Sequence, residues 1–158
     1  MNDCKEILLE DIVEVSFYLA SNVSCSVPFG VPGVDDMSAS ISGNPVLTIS
    51  VTGGDDVDAV METPSLKVSE KREATGLVRS HDLQINVEQG FDAVKQAADG
   101  LSGADIAAVL KDYDGNRYMI HALPNTSLCS YEDGRGSSHT GKVRFTAQSL
   151  SHLVKIRL

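Results

Sequence analysis

Tryptophan is absent from the 158 residues, and aromatic side chains make up only 5% of them. A broad face for stacking sugar rings is therefore not available. Four tyrosines remain, Tyr18, Tyr113, Tyr118 and Tyr131, and Tyr113, Tyr118 and Tyr131 fall near one another around neighbouring loops. Cysteine is scarce. Cys4, Cys25 and Cys129 are an odd number at wide spacings with no CxxC pair, which does not support a disulfide framework or zinc knuckle. Reduced thiols and synthesis in the cytoplasm are expected. No run of about 18 apolar residues exists, so no membrane-spanning helix is expected. The first residues lack a basic stretch followed by an apolar one, so no cleaved signal peptide is expected. Positive charge is also in short supply. Lys plus Arg is 13 against 22 Asp plus Glu, a net charge of −9, which disfavours a protein that grips nucleic acid by its phosphates.

What is present belongs to a globular chain. Apolar residues are 42% and charged residues 22%, ordinary values for a folded domain. The length fits a single domain over residues 1–158. Residues 3–10 allow a short helical turn, because Asp3 and Glu6 have capping-box spacing, or a strand. Val13, Val15, Phe17 and Leu19 alternate with polar residues, the period-two signature of a strand over about 11–20. Residues 21–45 show no period and carry Pro28, Gly30, Pro32 and Gly33, so they read as a long loop or an arm that orders on a partner. Val46–Val51, Val57–Met61, Leu66–Glu73 and Leu77–Glu88 read as extended, the last two as a hairpin. Phe91, Val94, Ala97, Ala98 and Leu101 fall at helical spacing, predicting a helix over about 91–101. Asp114-Gly115 between Ile106–Asp112 and Arg117–Leu123 marks a hairpin turn. Residues 124–141 are rich in Ser and Gly and read as a second long loop, followed by strands over 142–147 and 150–158. Seven or eight strands and one helix, without strand–helix–strand alternation, predict a mainly β fold: an antiparallel β-sandwich or distorted barrel with one flanking α-helix.

Motifs for chemistry fail on inspection. Gly136-Ser-Ser-His-Thr-Gly141-Lys142 has seven positions of a phosphate loop, but Val143 stands where Ser or Thr should reach magnesium. Asp112-Tyr-Asp114-Gly-Asn116 looks like a calcium loop, but its sixth and twelfth positions are Arg117 and Leu123 instead of Gly and Glu. His81, His121, His139 and His152 show no metal-ligand spacing. No G-x-S-x-G elbow exists, although a triad assembled in space leaves no sequence trace. No catalytic residue, metal ligand or cofactor is assigned. Two charge clusters remain. Asp55, Asp56, Asp58 and Glu62 form an acidic stretch able to line a channel and repel polyanions. Lys67, Lys71, Arg72 and Arg79 form a basic cluster in the 66–88 hairpin, suited to an acidic neighbouring subunit.

The strands, the single helix at 91–101 and the aperiodic stretch 21–45 together resemble the tail-tube and related ring-forming proteins of tailed bacteriophages. The resemblance lies in the pattern of the whole chain, with no specific motif. It implies two antiparallel sheets, a flanking helix, and loops or arms that contact neighbouring subunits. It also implies a non-enzymatic virion component that assembles as a homo-oligomer into a ring or tube, as tail tube or as neck, terminator or baseplate ring. Other virion proteins would be its partners, and DNA would pass without tight binding. Such a protein is made in the bacterial host cytoplasm and ends in the virion. The alternative is a β-sandwich module that binds carbohydrate or protein.

Overall fold

The computed structural model describes residues 4–28, 31–52, 57–74, 76–89, 91–101, 103–133 and 141–158. Among these the fold is mainly β, with twelve strands and one α-helix. The strands are β1 (Cys4–Leu8), β2 (Ile12–Leu19), β3 (Val23–Cys25), β4 (Asp36–Ile41), β5 (Leu47–Ser50) and β6 (Ala59–Met61). They continue as β7 (Ser65–Glu73), β8 (Gly76–Gln89), β9 (Ile106–Asp112), β10 (Arg117–Ala122), β11 (Leu128–Asp133) and β12 (Gly141–Arg157). The helix, α1, spans Phe91–Leu101, where the spacing of apolar residues predicts it. Val94, Ala98 and Leu101 are its buried residues with described side chains.

The sheet turns back on itself. From β8 the pairings run through β6, β5, β2, β9 and β10 to β12, and β12 pairs again with β8. The result is a ring-like arrangement. It is mixed, because β5–β6 and β12–β4 pair in parallel. Side-chain alternation fills the inside of this ring. Val15 and Phe17 of β2, Leu47 and Ile49 of β5, Leu83 and Ile85 of β8, and Val143 and Phe145 of β12 are fully buried in one cluster. The Phe17 and Phe145 rings meet across it with centroids 5.7 Å apart, tilted at 47°, a favourable offset arrangement. Val94 and Leu101 of α1 join the same cluster.

One open alternative is settled and two expectations change. Residues 4–8 are a strand that pairs antiparallel with β7, because joining an open sheet edge satisfies more main-chain groups than an isolated helical turn. Residues 21–45 are not a bare loop. They contain β3 and β4, which pair antiparallel, and β4 runs alongside the end of β12. Met37 and Ala39 of β4 are buried while Asp36, Ser38 and Ser40 are exposed. With Val23 and Val34 they cover the outward side of Ala107, Val109, Met119, Val154 and Ile156, forming a second core on the ring's outer surface. Within 124–141, Leu128–Asp133 form β11 on the edge of β12, and 134–140 lie outside the described residues.

The two final strand segments are one strand. β12 runs 17 residues, pairs with β8 through Ser149 and with β4 from Lys155. Its register against β10 shifts between Ile120 and Ala122. Leu150 and Ser151 break the alternation because both are buried at this bend.

Candidate functional site

On β2, the residues alternating with Val15 and Phe17 are Glu14, Ser16 and Tyr18, and they face outward. Register carries this row sideways. Ser16 stands opposite Thr48 of β5 and Val109 of β9. Glu14 stands opposite Lys111 of β9, and Lys111 opposite Arg117 of β10. These side chains line an open polar groove of about 560 Å³, completed by Asn44, Pro45 and Asp58.

The groove is held by a few defined contacts. Asp58 and Thr48 lock together through two hydrogen bonds, one between main chains and one to the Asp58 carboxylate. The Asp58 N–H donates to the Thr48 carbonyl at 2.9 Å, and the Thr48 N–H donates to Asp58 Oδ2 at 3.0 Å. The Ser16 and Thr48 hydroxyls lie 3.4 Å apart. Lys111 Nζ is 4.0 Å from Glu14 Oε2, and both side chains are partly exposed. Carboxylates thus come from β2 and the segment before β6, and cations from β9 and β10.

A second polar cluster is buried at the β12 bend. His81, His121, Ser149 and Ser151 are each no more than 1% exposed. The Ser149 hydroxyl donates to the His121 carbonyl at 2.6 Å, and His81 Nε2 meets the Ser151 carbonyl at 3.0 Å. These are side-chain to main-chain bonds that hold the bend, the usual fate of buried serine. Burial pushes the Cys129 thiol up to about 12 and raises the Cys25 thiol as well. Both thiols are therefore neutral at pH 7, unlike activated nucleophiles.

The charge clusters expected from sequence are only partly brought together. Asp55 and Asp56 lie outside the described residues. Asp58 and Glu62 are exposed on either side of β6, and only Asp58 reaches the groove. In the basic cluster, Lys67 stands opposite Asp82, and Arg79 opposite Glu70. Arg79 Nε donates to Glu70 Oε1 at 3.2 Å, so Arg79 is tied into the sheet. Lys71 and Arg72 are exposed near the β7–β8 turn, with Lys71 3.8 Å from Glu73.

The calcium-like Asp112 spends its carboxylate on its own turn. Oδ1 accepts the Asp114 and Asn116 N–H groups at 3.0 and 2.8 Å, and Oδ2 accepts the Asn116 amide at 3.2 Å. Gly115, at φ +90°, completes the hairpin that sequence predicts. Of the phosphate-loop resemblance, residues 136–140 lie outside the described residues, and Gly141 and Lys142 open a strand where a helix is required. Among the described residues, no group of three or more His, Cys, Asp or Glu side chains could hold a metal ion, and no helix is long and apolar enough to cross a membrane. Tyr113, Tyr118 and Tyr131, neighbours along the chain, do not form a shared exposed surface. Tyr118 and Tyr131 pack against the inner core, and only Tyr113 is largely exposed.

Sequence reasoning missed Glu14, Tyr18, Lys111 and Arg117. The signal lay in register: a hairpin turned at Asp114-Gly115 brings Lys111 and Arg117 face to face. No family model, curated protein or solved structure matches the chain.

Proposed function

We propose that the chain is a non-enzymatic structural subunit that assembles with copies of itself into a ring or tube of a phage tail. The observation that supports this reading is the free end of the β7–β8 hairpin. Among the described residues, β1 pairs with β7 over Ser65–Ser69, and β12 reaches along β8 to Arg79. The rungs Lys71–Val78, Arg72–Leu77 and Glu73–Gly76 continue the hairpin past these pairings as a two-stranded ribbon, with no third strand beside them among the described residues. Such ribbons are marginal in water on their own, and their open edges invite pairing. Leu77, 38% exposed, adds an apolar anchor.

Charge favours the same contact. Copies of a chain with net charge −9 repel one another at long range, so a contact needs a local cationic element. Lys71 and Arg72 supply one at the ribbon's tip. In this reading the exposed Glu62, with the acidic stretch before it, faces solvent or a channel where negative charge lets DNA pass. The stretch 21–45 is packed on its own chain, so the ribbon takes the role of the reaching element.

The test is native mass by light scattering followed by negative-stain imaging. Rings, tubes or a discrete oligomer are expected for the natural sequence. K71E/R72E is expected to remain a folded 16.8 kDa monomer, with its thermal midpoint little changed. Assembly by this variant as efficient as that of the natural sequence would exclude the ribbon as the contact.

A further inference from the structure

Lys111 and Arg117 lie directly opposite each other in the β9–β10 ladder. Like charges at opposed positions destabilise a sheet. Among the described residues, Glu14 pairs with Lys111, at 4.0 Å. In a chain where acids outnumber bases 22 to 13, adjacent cations on one sheet face are not a consequence of composition. An anion placed between them would remove the repulsion, and Arg117 can grip a carboxylate with two parallel hydrogen bonds.

The rest of the groove defines what else that anion carries. Asp58 is held by the Thr48 N–H through Oδ2, which leaves its other carboxylate oxygen to accept. Asn44 offers an amide, and Ser16 a hydroxyl. Donors and acceptors of this kind suit hydroxyl groups, and the carboxylates would repel a run of phosphates. Tyr18 is the one aromatic side chain lining the groove among the described residues, and it offers a ring face. A volume of about 560 Å³ lies in the usual range for ligand clefts, roughly 300–1,000 Å³.

We propose that this groove binds an acidic saccharide. Arg117 and Lys111 take the sugar carboxylate, Asp58, Asn44 and Ser16 take ring hydroxyls, and Tyr18 lies against the ring. The proposal is independent of assembly through the β7–β8 ribbon, whose residues are elsewhere on the sheet.

The test is saturation-transfer NMR and calorimetry on the full chain. The acidic probes are trigalacturonate, a hyaluronan tetrasaccharide and sialyllactose, each beside its methyl-esterified or neutral counterpart. Saturable binding of at least one acidic probe is expected, with its neutral counterpart bound roughly tenfold more weakly or not at all. Arg117→Gln should weaken that binding by roughly tenfold or more. Should Arg117→Gln fail to fold, Asn44→Ala at an exposed loop position must weaken it instead. Binding of none of the acidic probes overturns the proposal. So does equal binding of the neutral counterparts, or full binding by both folded variants.

Discussion

His81 Nε2 lies 3.0 Å from the carbonyl oxygen of Ser151, linking β8 to the bend of β12. A carbonyl can only accept, so Nε2 carries the ring proton. Nδ1 is then a bare acceptor, buried and without a partner among the described residues. Glu70, Arg79 and His152 surround this contact. Glu70 Oε1 is 3.2 Å from Arg79 Nε and 3.8 Å from His152 Nε2, and Arg79 also donates to the Leu150 carbonyl at 3.1 Å. The same bend anchors the segment before β4. Gly33 N–H donates to the Leu150 carbonyl at 3.2 Å, and Val34 N–H to the Ser151 hydroxyl at 3.0 Å. His81 therefore supports the strand to which the outer core is tied.

Stability is expected to fall on mild acidification. Burial lowers the His81 pKa below its usual 6.5. The Ser151 hydrogen bond opposes this, and the His152 and Arg79 charges reinforce it. Burial likewise lowers His121, opposed by the Val27 main chain. In the unfolded chain both titrate near 6.5, so below that pH the unfolded state binds more protons than the folded one. Stability is then full above pH 6.5 and is lost as pH drops toward the folded values. The slope is at most about 1.4 kcal/mol per pH unit for each histidine. Urea midpoints at pH 7.5, 6.5 and 5.5 read this directly, and His81→Gln should flatten the slope. A midpoint unchanged over that range would contradict the coupling.

Arg144 grips Asp82 with two hydrogen bonds, Nε to Oδ1 at 3.0 Å and Nη2 to Oδ2 at 2.8 Å. Burial pushes the Asp82 pKa up, but the Arg144 hydrogen bonds, aided by Gln84 and Lys67, outweigh it and hold the pKa below the usual 3.8. The carboxylate thus contributes stability above pH 3.8 that is lost as pH falls below it. Arg144→Gln should raise the Asp82 pKa, because the burial effect then stands with less opposition. A carboxyl-carbon NMR titration of both proteins checks it, and identical titration curves would show the ion pair to be idle.

Asp112→Ala should destabilise the β9–β10 hairpin. Asp112 is 7% exposed, and its carboxylate accepts three hydrogen bonds from its own turn. Losing them strands two main-chain N–H groups, at a cost of about 2 kcal/mol. Urea unfolding measures it, and Asp112→Asn, which keeps one side-chain acceptor, should lose less. Equal loss in both variants would place the effect in the charge instead of the turn.

Local pattern was legible where one rule acted alone. The helix over 91–101 followed from Val94, Ala98 and Leu101 at helical spacing, and the 112–117 hairpin from Asp114-Gly115. The mainly β class followed from alternation in β2, β8 and β12. The outer core was hidden for a different reason. Met37-Ser-Ala39-Ser has the period of a strand, but it is short and sits among prolines and glycines, so its burial partner on β12 is visible only in space. The groove was hidden because cross-strand register, not sequence spacing, brings Glu14, Lys111 and Arg117 together. Its contributors come from neighbouring strands that lie far apart in sequence, around 14–18, 44–58 and 109–117, and each alone reads as an ordinary solvated charge.

The outer core gives a last, quantitative test of how the segment 21–45 is held. Met37 is 2% exposed and packs with Met119, Val154 and Ile156. If the segment were an arm waiting for a partner, truncating Met37 would change the stability of the isolated chain by no more than about 0.5 kcal/mol, as at an ordinary surface site. Packed as it is, Met37→Ala should cost about 2–5 kcal/mol through lost burial and the cavity left behind. Ser38→Ala, one residue along and facing solvent, is the control and should change little. The two variants share the same strand and the same main-chain ladder, so the difference between their urea midpoints isolates side-chain burial. A small loss at Met37 equal to that at Ser38 would mean that β4 is not held to the ring in solution, and the segment would return to the role of a reaching arm.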